Sequence, residues 1–263
     1  MPSLEIAQQF DSIEDTVQAF SKPIPYTDHL RSQYHPFGAL VDHPLILWSV
    51  ENGEFIIVLD DLSRENEGDL IVAAADMTTE KMAFMIRHTS GLICAPITPA
   101  LTKHLDLPQM VTNSEDPHRT AYTISVDANS PETTTGISAH NRALTCRTLA
   151  SKTATRESFR RPGHVFPLKA KEGGVRERRG HTEATIDFCR LAGKPLAGVI
   201  SEIIEDGEEV AGQSIRREPG MMRRDGCLAF GRKWGLKVCT IEDLVEYMEK
   251  TEGKLAKQTN GTS

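Results

Sequence analysis

An acidic run held between two apolar segments is the feature that most constrains this chain. The run R-E-N-E-G-D at residues 64–69 separates two segments whose composition is typical of strands. If the run stays extended, the period of two places Glu65, Glu67 and Asp69 on one side, where like charges repel unless a cation or a substrate neutralises them. Oxygen ligands of this kind suit Mg²⁺ or Mn²⁺, and the alternative is a solvated acidic hairpin loop.

A second charged motif predicts the start of a helix. Residues 178–183 (RRGHTE) lead into a segment with helical apolar spacing that ends before Gly193. The free amides of the first turn, together with Arg178 and the close backbone approach that Gly180 allows, predict a phosphate-binding corner. His181 either supplies a neutral nitrogen to a metal or is an exposed helix cap.

With these motifs and four further segments, the chain resembles the 3,4-dihydroxy-2-butanone 4-phosphate synthase family of riboflavin biosynthesis, in its monofunctional form. The further segments, in the family's order, are residues 87–94 (RHTSGLIC), 133–139 (TTTGISA), 161–168 (RPGHVFPL) and 198–203 (GVISEI). A form fused to GTP cyclohydrolase II is not expected, because too few residues follow Glu202 and no close cysteine cluster could hold its zinc.

The resemblance implies a lyase that converts D-ribulose 5-phosphate to L-3,4-dihydroxy-2-butanone 4-phosphate and formate. It also implies Mg²⁺ or Mn²⁺, two ions per active site, and a homodimer with sites near the interface. Enediolate charge develops repeatedly in this reaction, and a divalent metal stabilises it as a Lewis acid. Two other classes stay open: another metal-dependent sugar-phosphate isomerase or aldolase, and a non-catalytic sugar-phosphate binding module.

Candidate site residues follow from the matched motifs, position by position. The resemblance gives the metal to Glu65 and His181, acid/base catalysis to His164 and Glu202, and contacts with the sugar phosphate to Arg64, Glu65, Asp69, Arg178 and Thr182, with Glu67 close by.

Several of these residues also have a purely structural interpretation. Glu202 lies on an apolar strand-like run, where a buried ion pair would explain it equally simply. His164 follows a Pro-Gly turn and is either a surface imidazole or a proton-transfer group. Cys94 is either a core thiol or a residue near the site. Thr135 belongs to a polar loop that is either a plain helix cap or a phosphate contact and lid.

Composition favours a compact enzyme of the cytoplasm. The 263 residues are 39 % hydrophobic and carry a net charge of −7, so the chain can bury a full core and is not expected to bind nucleic acid or an anionic membrane. No apolar run approaches the roughly 18 residues of a membrane span, and no signal peptide is evident. The five cysteines form no C-x-x-C pair and are expected to be reduced thiols.

Strand and helix patterns alternate without a strict βαβ repeat. This mixture predicts an α/β protein of mixed α+β type, with a three-layer α/β/α architecture around a mixed twisted sheet. The predicted helices run from a Ser12 cap to Phe20, from a Ser138 cap through Leu149 and from Thr240 to Lys250, and the predicted strands include residues 121–126 and 198–203.

One segment departs from the family. Residues 21–50 contain four prolines and little periodic pattern, and they separate the first predicted helix from the first strand. An irregular loop of this length is improbable inside a compact domain. We therefore expect residues 1–253 to form a single catalytic domain with an atypical insertion at 21–50, followed by a disordered tail at 254–263.

Overall fold

The computed structural model describes residues 12–13 and 53–255 of the chain. Its strands are β1 (Ile56–Leu59), β2 (Gly68–Ala73), β3 (Cys94–Ile97), β4 (Val126–Ala128), β5 (Phe159–Lys169), β6 (Gly198–Glu202), β7 (Ile204–Glu205), β8 (Glu208–Glu209), β9 (Arg216–Arg217), β10 (Gly220–Met221) and β11 (Lys237–Thr240). Its α-helices are α1 (Thr79–His88), α2 (Pro99–His104), α3 (Ala139–Leu149), α4 (His181–Leu191), α5 (Arg224–Trp234) and α6 (Ile241–Glu252). None of these described helices is long and apolar enough to cross a bilayer.

Seven strands form the central sheet, in the order β11-β1-β2-β6-β3-β5-β4. The pairs β1–β11 and β3–β5 are parallel, and the other neighbours in this sheet are antiparallel. Two small two-stranded sheets, β7 with β10 and β8 with β9, stand outside it. The predicted mixed sheet is therefore confirmed.

The central strands are buried on both faces. In β1, Ile56 and Val58 pack into one core cluster with residues of α4 and α6, whereas Ile57 and Leu59 pack into the other with residues of α1, α3 and α5. Alternate side chains of a strand point to opposite faces, so a strand covered on both sides must be apolar at every position. The three-layer α/β/α architecture is confirmed.

Local capping signals locate two helices correctly. The Ser138 hydroxyl accepts a hydrogen bond from Asn141 N (3.0 Å), and the Thr240 hydroxyl accepts one from Asp243 N (3.0 Å) in a capping box. The strand predicted at residues 121–126 is wrong apart from its last residue, because the earlier positions make only isolated bridges to other segments.

The first predicted helix and the predicted insertion lie almost entirely outside the described residues. Of the segment from Ser12 to Phe20, only Ser12 and Ile13 are described, and Ile13 is helical and buried. Residues 21–50 and residues 256–263 are outside the described part.

All five cysteines are buried, and none is in a disulfide bond. Burial raises the pKa of Cys94 well above its usual range and raises the pKa of Cys146, Cys189 and Cys227 to about 12. These four side chains are therefore neutral thiols at physiological pH.

Candidate active site

A pocket of about 110 Å³ lies beside the beginning of β2 and the end of β6. It brings together candidates that are far apart in the sequence: Arg64, Glu65, Asp69, Cys94, Arg178, His181, Thr182 and Glu202. Three other candidates, Glu67, Thr135 and His164, do not line it. The pocket therefore collects both charged motifs at one end of the sheet.

Asp60 folds the acidic loop that follows β1. Its Oδ2 accepts hydrogen bonds from Glu65 N (3.0 Å) and from Arg64 Nη1 (2.7 Å), and its Oδ1 accepts one from Glu67 N (2.9 Å). Arg64 Nη1 also lies 2.5 Å from Glu65 Oε2. A short acidic side chain that binds backbone amides a few residues ahead is typical of tight turns, and this one fixes where Glu65 lies.

The acidic run is not extended, so the condition for placing its three carboxylates on one side is not met. Asn66 has φ +54°, a left-handed conformation that turns the chain between Glu65 and the strand β2. Glu65 and Asp69 still reach the pocket, but Glu67 instead lies 3.5 Å from Arg223 Nη1. Arg223 also donates to the backbone carbonyls of Glu65 and Asn66, which anchors this loop to the start of α5.

His181 is the first residue of α4, as predicted, and it is buried. Its Nε2 lies 3.1 Å from the carbonyl oxygen of Val58. A carbonyl only accepts hydrogen bonds, so Nε2 carries the hydrogen and Nδ1 keeps its lone pair. Burial lowers the pKa of His181 to about 4, which keeps the imidazole neutral at physiological pH.

The lone pair of His181 faces two carboxylates. Nδ1 lies 3.5 Å from Asp69 Oδ1 and 3.9 Å from Glu65 Oε2. Asp69 Oδ1 is buried and has no hydrogen-bond partner. Burial, and then the charges of Glu202 and Glu65, raise the pKa of Asp69 well above its usual range. Asp69 Oδ1 and His181 Nδ1 thus face each other without a donor between them, and Glu65 Oε2, which Arg64 Nη1 binds, lies beside them. A bound cation would relieve the mutual repulsion of these three acceptors.

The two carboxylate oxygens and the imidazole nitrogen are suitable ligand atoms for a hard divalent cation. An octahedral Mg²⁺ with bonds of ~2.1 Å places neighbouring ligand atoms ~3.0 Å apart, and the observed separations of 3.5 and 3.9 Å are less than 1 Å wider. Within residues 12–13 and 53–255, no group of three or more His, Cys, Asp or Glu residues already has the arrangement of a metal site. Binding would therefore draw Glu65 and Asp69 inward toward His181.

Glu202 ends β6 directly opposite Asp69 on β2. Its Oε2 accepts a hydrogen bond from Ser90 Oγ (2.8 Å), and among the described residues it forms no ion pair. This absence argues against the buried ion pair considered above.

Cys94 lines the same pocket as a buried thiol, and its raised pKa argues against a nucleophilic role.

Arg178 binds other protein groups at the side of the pocket. Its Nη1 lies 2.5 Å from Glu183 Oε2, its Nε donates to His118 O (3.2 Å), and its Nη2 donates to His118 O (3.0 Å) and Thr120 Oγ1 (3.1 Å). A Cβ at Gly180 would lie 2.3 Å from Arg178 Nη1. The space beside Gly180 is thus taken by the guanidinium rather than left open for a phosphate, which revises the predicted corner.

The sequence analysis missed the loop that closes one side of the pocket. Asp116, His118, Thr120 and Tyr122 all line it. His118 Nε2 lies 3.5 Å from Glu65 Oε1, and burial raises the pKa of Tyr122 to about 12. This loop has no periodic pattern, and the available signal was a histidine in a polar segment, which alone predicts little.

His164 forms a separate dyad with Asp127, which the sequence analysis also missed. Nδ1 lies 2.8 Å from Asp127 Oδ2, and His164 N donates to Asp127 Oδ1 (2.9 Å). A Cβ at Gly136 would lie 2.0 Å from Asp127 Oδ2 and 2.6 Å from His164 Nδ1. The glycine of the TTTG motif is thus required for close packing on the dyad, while Thr135 beside it is exposed.

The dyad stands apart from the pocket of its own chain. β3 lies between β6 and β5, with Cys94 paired to both Ile200 and Phe166. Glu202 and His164 each lie two residues from the row of Cys94 in the same direction, so two strand spacings of ~4.8 Å put their Cα atoms about 10 Å apart, and His164 does not line the pocket. The structure therefore does not bring His164 together with the other candidates within one chain.

The layered fold and this pocket, with its acidic loop, neutral histidine and adjacent arginines, define an α/β enzyme that acts on a sugar phosphate. The family model for 3,4-dihydroxy-2-butanone 4-phosphate synthase matches residues 45–247, and the chain belongs to this family. Its members convert ribulose 5-phosphate in riboflavin biosynthesis, as the sequence motifs predicted.

Relatives with the same description match three quarters of this chain or more. The synthase of Pyricularia oryzae is 64 % identical over 239 residues, which cover 91 % of this chain and 100 % of the relative. The synthase of Schizosaccharomyces pombe is 52 % identical over 201 residues, covering 75 % of this chain and 92 % of the relative. A crystal structure of a synthase in complex with two magnesium ions is 58 % identical, covers 94 % of this chain and 100 % of that one, and superposes with a TM-score of 0.81.

Proposed function

We propose that this pocket catalyses the family's lyase reaction with a divalent cation, Mg²⁺ or Mn²⁺, held by Glu65 and His181. The observation that carries the proposal is the cluster of three acceptors, Glu65, Asp69 and His181 Nδ1, around one buried point. Two ions per site are consistent with the two magnesium ions of the similar crystal structure. When bound, the metal supplies Lewis-acid stabilisation of negative charge on the substrate oxygens.

Glu202 is the proposed proton-transfer group of this pocket. The reaction removes a proton beside a carbonyl, and a carboxylate that lines the pocket without an ion pair is free to accept it. Ser90 Oγ, at 2.8 Å from Glu202 Oε2, holds the carboxylate in place. We assign Arg64 and Thr182, which line the pocket, to bind and orient the substrate's oxygens. Most N–H groups of Arg178 already donate hydrogen bonds to other protein groups.

A homodimer would let His164 take part. Within one chain His164 does not line the pocket, and its Cα atom lies about 10 Å from that of Glu202 across the sheet, so we assign it to the pocket of a second copy. Two exposed apolar residues lie on segments next to the dyad: Leu92, which is 37 % exposed and precedes β3, the parallel neighbour of β5, and Ile137, which is 50 % exposed and follows Gly136. Exposed apolar residues around a polar functional group are typical of an interface between subunits.

We further propose a cytoplasmic location. Five buried free thiols suit a reducing compartment, and disulfide bonds are the usual choice for secreted proteins of comparable cysteine content.

Release of formate tests the proposed reaction. The purified protein is incubated with ribulose 5-phosphate and Mg²⁺, and formate is measured with EDTA added to a parallel sample. Formate that appears with Mg²⁺ and disappears with EDTA supports the proposal. Full release of formate in EDTA would contradict the metal assignment, and no release in either sample would contradict the reaction.

Subunit complementation tests the shared site. Glu65→Gln and His164→Ala variants, each inactive alone, are unfolded together and refolded in equal amounts. If each site takes Glu65 from one chain and His164 from the other, half of the dimers are mixed and each has one intact site, so about a quarter of wild-type activity returns. If both residues served the same chain's site, the mixture would stay inactive.

A further inference from the structure

Asp127 is a buried carboxylate that binds one residue twice. Its Oδ1 accepts a hydrogen bond from His164 N (2.9 Å), and its Oδ2 lies 2.8 Å from His164 Nδ1. The side chain of Asp127 is 8 % exposed, whereas the imidazole of His164 is 40 % exposed. A carboxylate fixed inside the protein thus holds an imidazole that reaches the surface.

The backbone of β4 brings Asp127 to this position. The register of β4 on β5 shifts between Val126 and Asp127, as it does at a β-bulge. A Cβ at Gly163 would lie 2.0 Å from the carbonyl carbon of Val126, so the two strands approach each other at a distance that a side chain would prevent. β-Bulges are found next to active sites, where they redirect a side chain. Here the shift directs Asp127 to His164, although its register partner on β5 is Arg160.

His164 is the single hydrogen-bond partner of the Asp127 carboxylate among the described residues. Arg160, the register partner, donates from Nε to Asn129 Oδ1 (3.1 Å) instead. The contacts of Asp127 therefore determine the position of one imidazole and do not extend into a larger ion-pair network.

A buried arginine supplies positive charge near Asp127. Arg142 on α3 is 7 % exposed, and its Nη1 donates to Gly91 O (3.1 Å). Burial lowers the pKa of Arg142, while Cys146 and Asp127 oppose this shift. A carboxylate is costly to bury without a nearby cation. Arg142 therefore helps to offset the cost of burying Asp127 next to His164.

These contacts determine which ring nitrogen of His164 carries the hydrogen. A carboxylate oxygen only accepts hydrogen bonds, so Nδ1 is the protonated nitrogen of the neutral ring. Nε2 then keeps its lone pair, and among the described residues no group forms a hydrogen bond with it. The neutral ring is therefore prepared to accept a proton at Nε2.

We propose that Asp127 is a positioning residue of the lyase reaction, which holds His164 in the tautomer with the hydrogen on Nδ1 and a free lone pair on Nε2; this inference rests on the proposed function. Nε2 takes a proton from the substrate in the pocket of the second copy, and the electron pair of the broken bond stays on the substrate. The imidazolium that forms keeps its hydrogen bond from Nδ1, and its charge lies beside the Asp127 carboxylate.

Asp127→Asn tests this role with a side chain of the same shape. The asparagine amide has one acceptor atom and one donor atom, so it cannot accept hydrogen bonds from both His164 N and His164 Nδ1. With its oxygen on the backbone N–H, its Nδ2 faces Nδ1 and favours the opposite tautomer, in which Nε2 carries the hydrogen. Asp187→Asn is the matched control, because Asp187 is also buried but binds Val175 N (2.8 Å) rather than a histidine.

Nuclear magnetic resonance of the isotope-labelled protein measures the tautomer without turnover. The chain has nine histidines, and the ring signals of His164 are those missing from His164→Ala. We expect neutral His164 to carry its hydrogen on Nδ1 in the wild-type protein and in Asp187→Asn, and on Nε2 in Asp127→Asn. A wild-type ring with the hydrogen on Nε2 would overturn the inference, and this result does not require any Asp127 variant to fold.

Kinetics test whether Asp127 acts through His164. Asp127→Asn should lower kcat by about 10² to 10⁴ and change KM by less than about twofold, since the wrong tautomer affects proton transfer rather than binding. The double variant Asp127→Asn/His164→Ala should be no slower than His164→Ala, because the effects of residues that act as one unit do not add. Asp187→Asn should keep the wild-type kcat. Thermal unfolding of each variant checks that it is folded.

The kinetic results can also overturn the inference. A kcat of Asp127→Asn within about twofold of the wild-type value would do so, as would a further fall of about tenfold or more when Asp127→Asn is added to His164→Ala. If the tautomer changes as expected but the wild-type protein releases no formate, the proposed reaction is wrong and the control of His164 by Asp127 stands.

Discussion

Replacement of Asp69 by asparagine is expected to stabilise the metal-free protein. Asp69 Oδ1 is buried without a hydrogen-bond partner and lies 3.5 Å from the lone pair on His181 Nδ1. An asparagine amide has the same shape and carries the donor that is missing between Asp69 and His181, so its Nδ2 can donate to His181 Nδ1. The variant thus relieves an unfavourable interaction that the folded protein otherwise retains.

The size of the effect follows from the cost of an unsatisfied buried group. That cost is about 1–3 kcal/mol. For a domain of this size, each kcal/mol shifts Tm by about 2–4 °C, so Asp69→Asn should raise Tm by about 2–12 °C.

The effect should depend on pH in a defined direction. The pKa of Asp69 is higher in the folded protein than in the unfolded chain. At pH values between these two pKa values, the folded protein therefore binds one proton that the unfolded chain has lost. The free energy of unfolding of the wild-type protein therefore falls as pH rises through this interval, and the asparagine variant lacks that loss. The Tm difference between the variant and the wild-type protein should be smaller at pH 5 than at pH 8.

Thermal unfolding in EDTA, followed by circular dichroism, measures the difference, and Asp187→Asn is the matched control. Asp187 is also buried with a raised pKa, but its Oδ2 accepts a hydrogen bond from Val175 N (2.8 Å) and its Oδ1 lies 3.5 Å from Arg190. Its replacement should lower Tm. Mg²⁺ at a hundred times its Kd should stabilise the wild-type protein by about 2.7 kcal/mol and so raise its Tm. It should raise the Tm of Asp69→Asn by less. A lower Tm for Asp69→Asn at both pH values would refute the reasoning.

Four further predictions concern the site and the segment outside the described residues. Glu65→Gln and His181→Ala should each abolish turnover with the fold intact, and calorimetry should show weakened Mg²⁺ binding in both; normal binding would reject them as ligands. Glu202→Gln should lower kcat by about 10² to 10⁴ with little change in substrate affinity, whereas a large loss of Tm would mark a structural role. Arg178→Lys should raise KM and make the adjoining loop more sensitive to limited proteolysis, because one ammonium group cannot reach all the partners of a guanidinium; wild-type behaviour in both assays would contradict this. Deletion of residues 21–50 should leave formate release intact, since loop-closure entropy depends weakly on length; an unfolded or inactive product would show that the segment contributes to the core or to a dimer.

Local patterns were sufficient for the parts of the structure that local physics determines. The start of α4 at His181 follows from helical apolar spacing with a glycine stop, and the starts of α3 and α6 follow from hydroxyl caps at Ser138 and Thr240. Continuous apolar runs at β1 and β6 correctly indicated strands, and both strands are buried in the structure. Each of these signals lies within the element that it predicts.

The missed features depend on contacts between distant segments. Strand β5 contains Pro162, Gly163 and Pro167, which argue against a strand until β3 and β4 are available as partners. Asp127 gains its role only when the register of β4 on β5 brings it to His164. The loop over the pocket is likewise placed by hydrogen bonds to Arg178 rather than by its own composition.

The complete burial of the cysteines makes the protein a convenient background for chemical labelling. Thiol reagents attack the thiolate, and buried thiols with raised pKa values supply very little of it. A cysteine introduced at an exposed position of the pocket loop, such as Glu115, would be the one readily accessible thiol among the described residues. A fluorophore attached there would report movements of the loop as substrate and metal bind, without prior removal of any native cysteine.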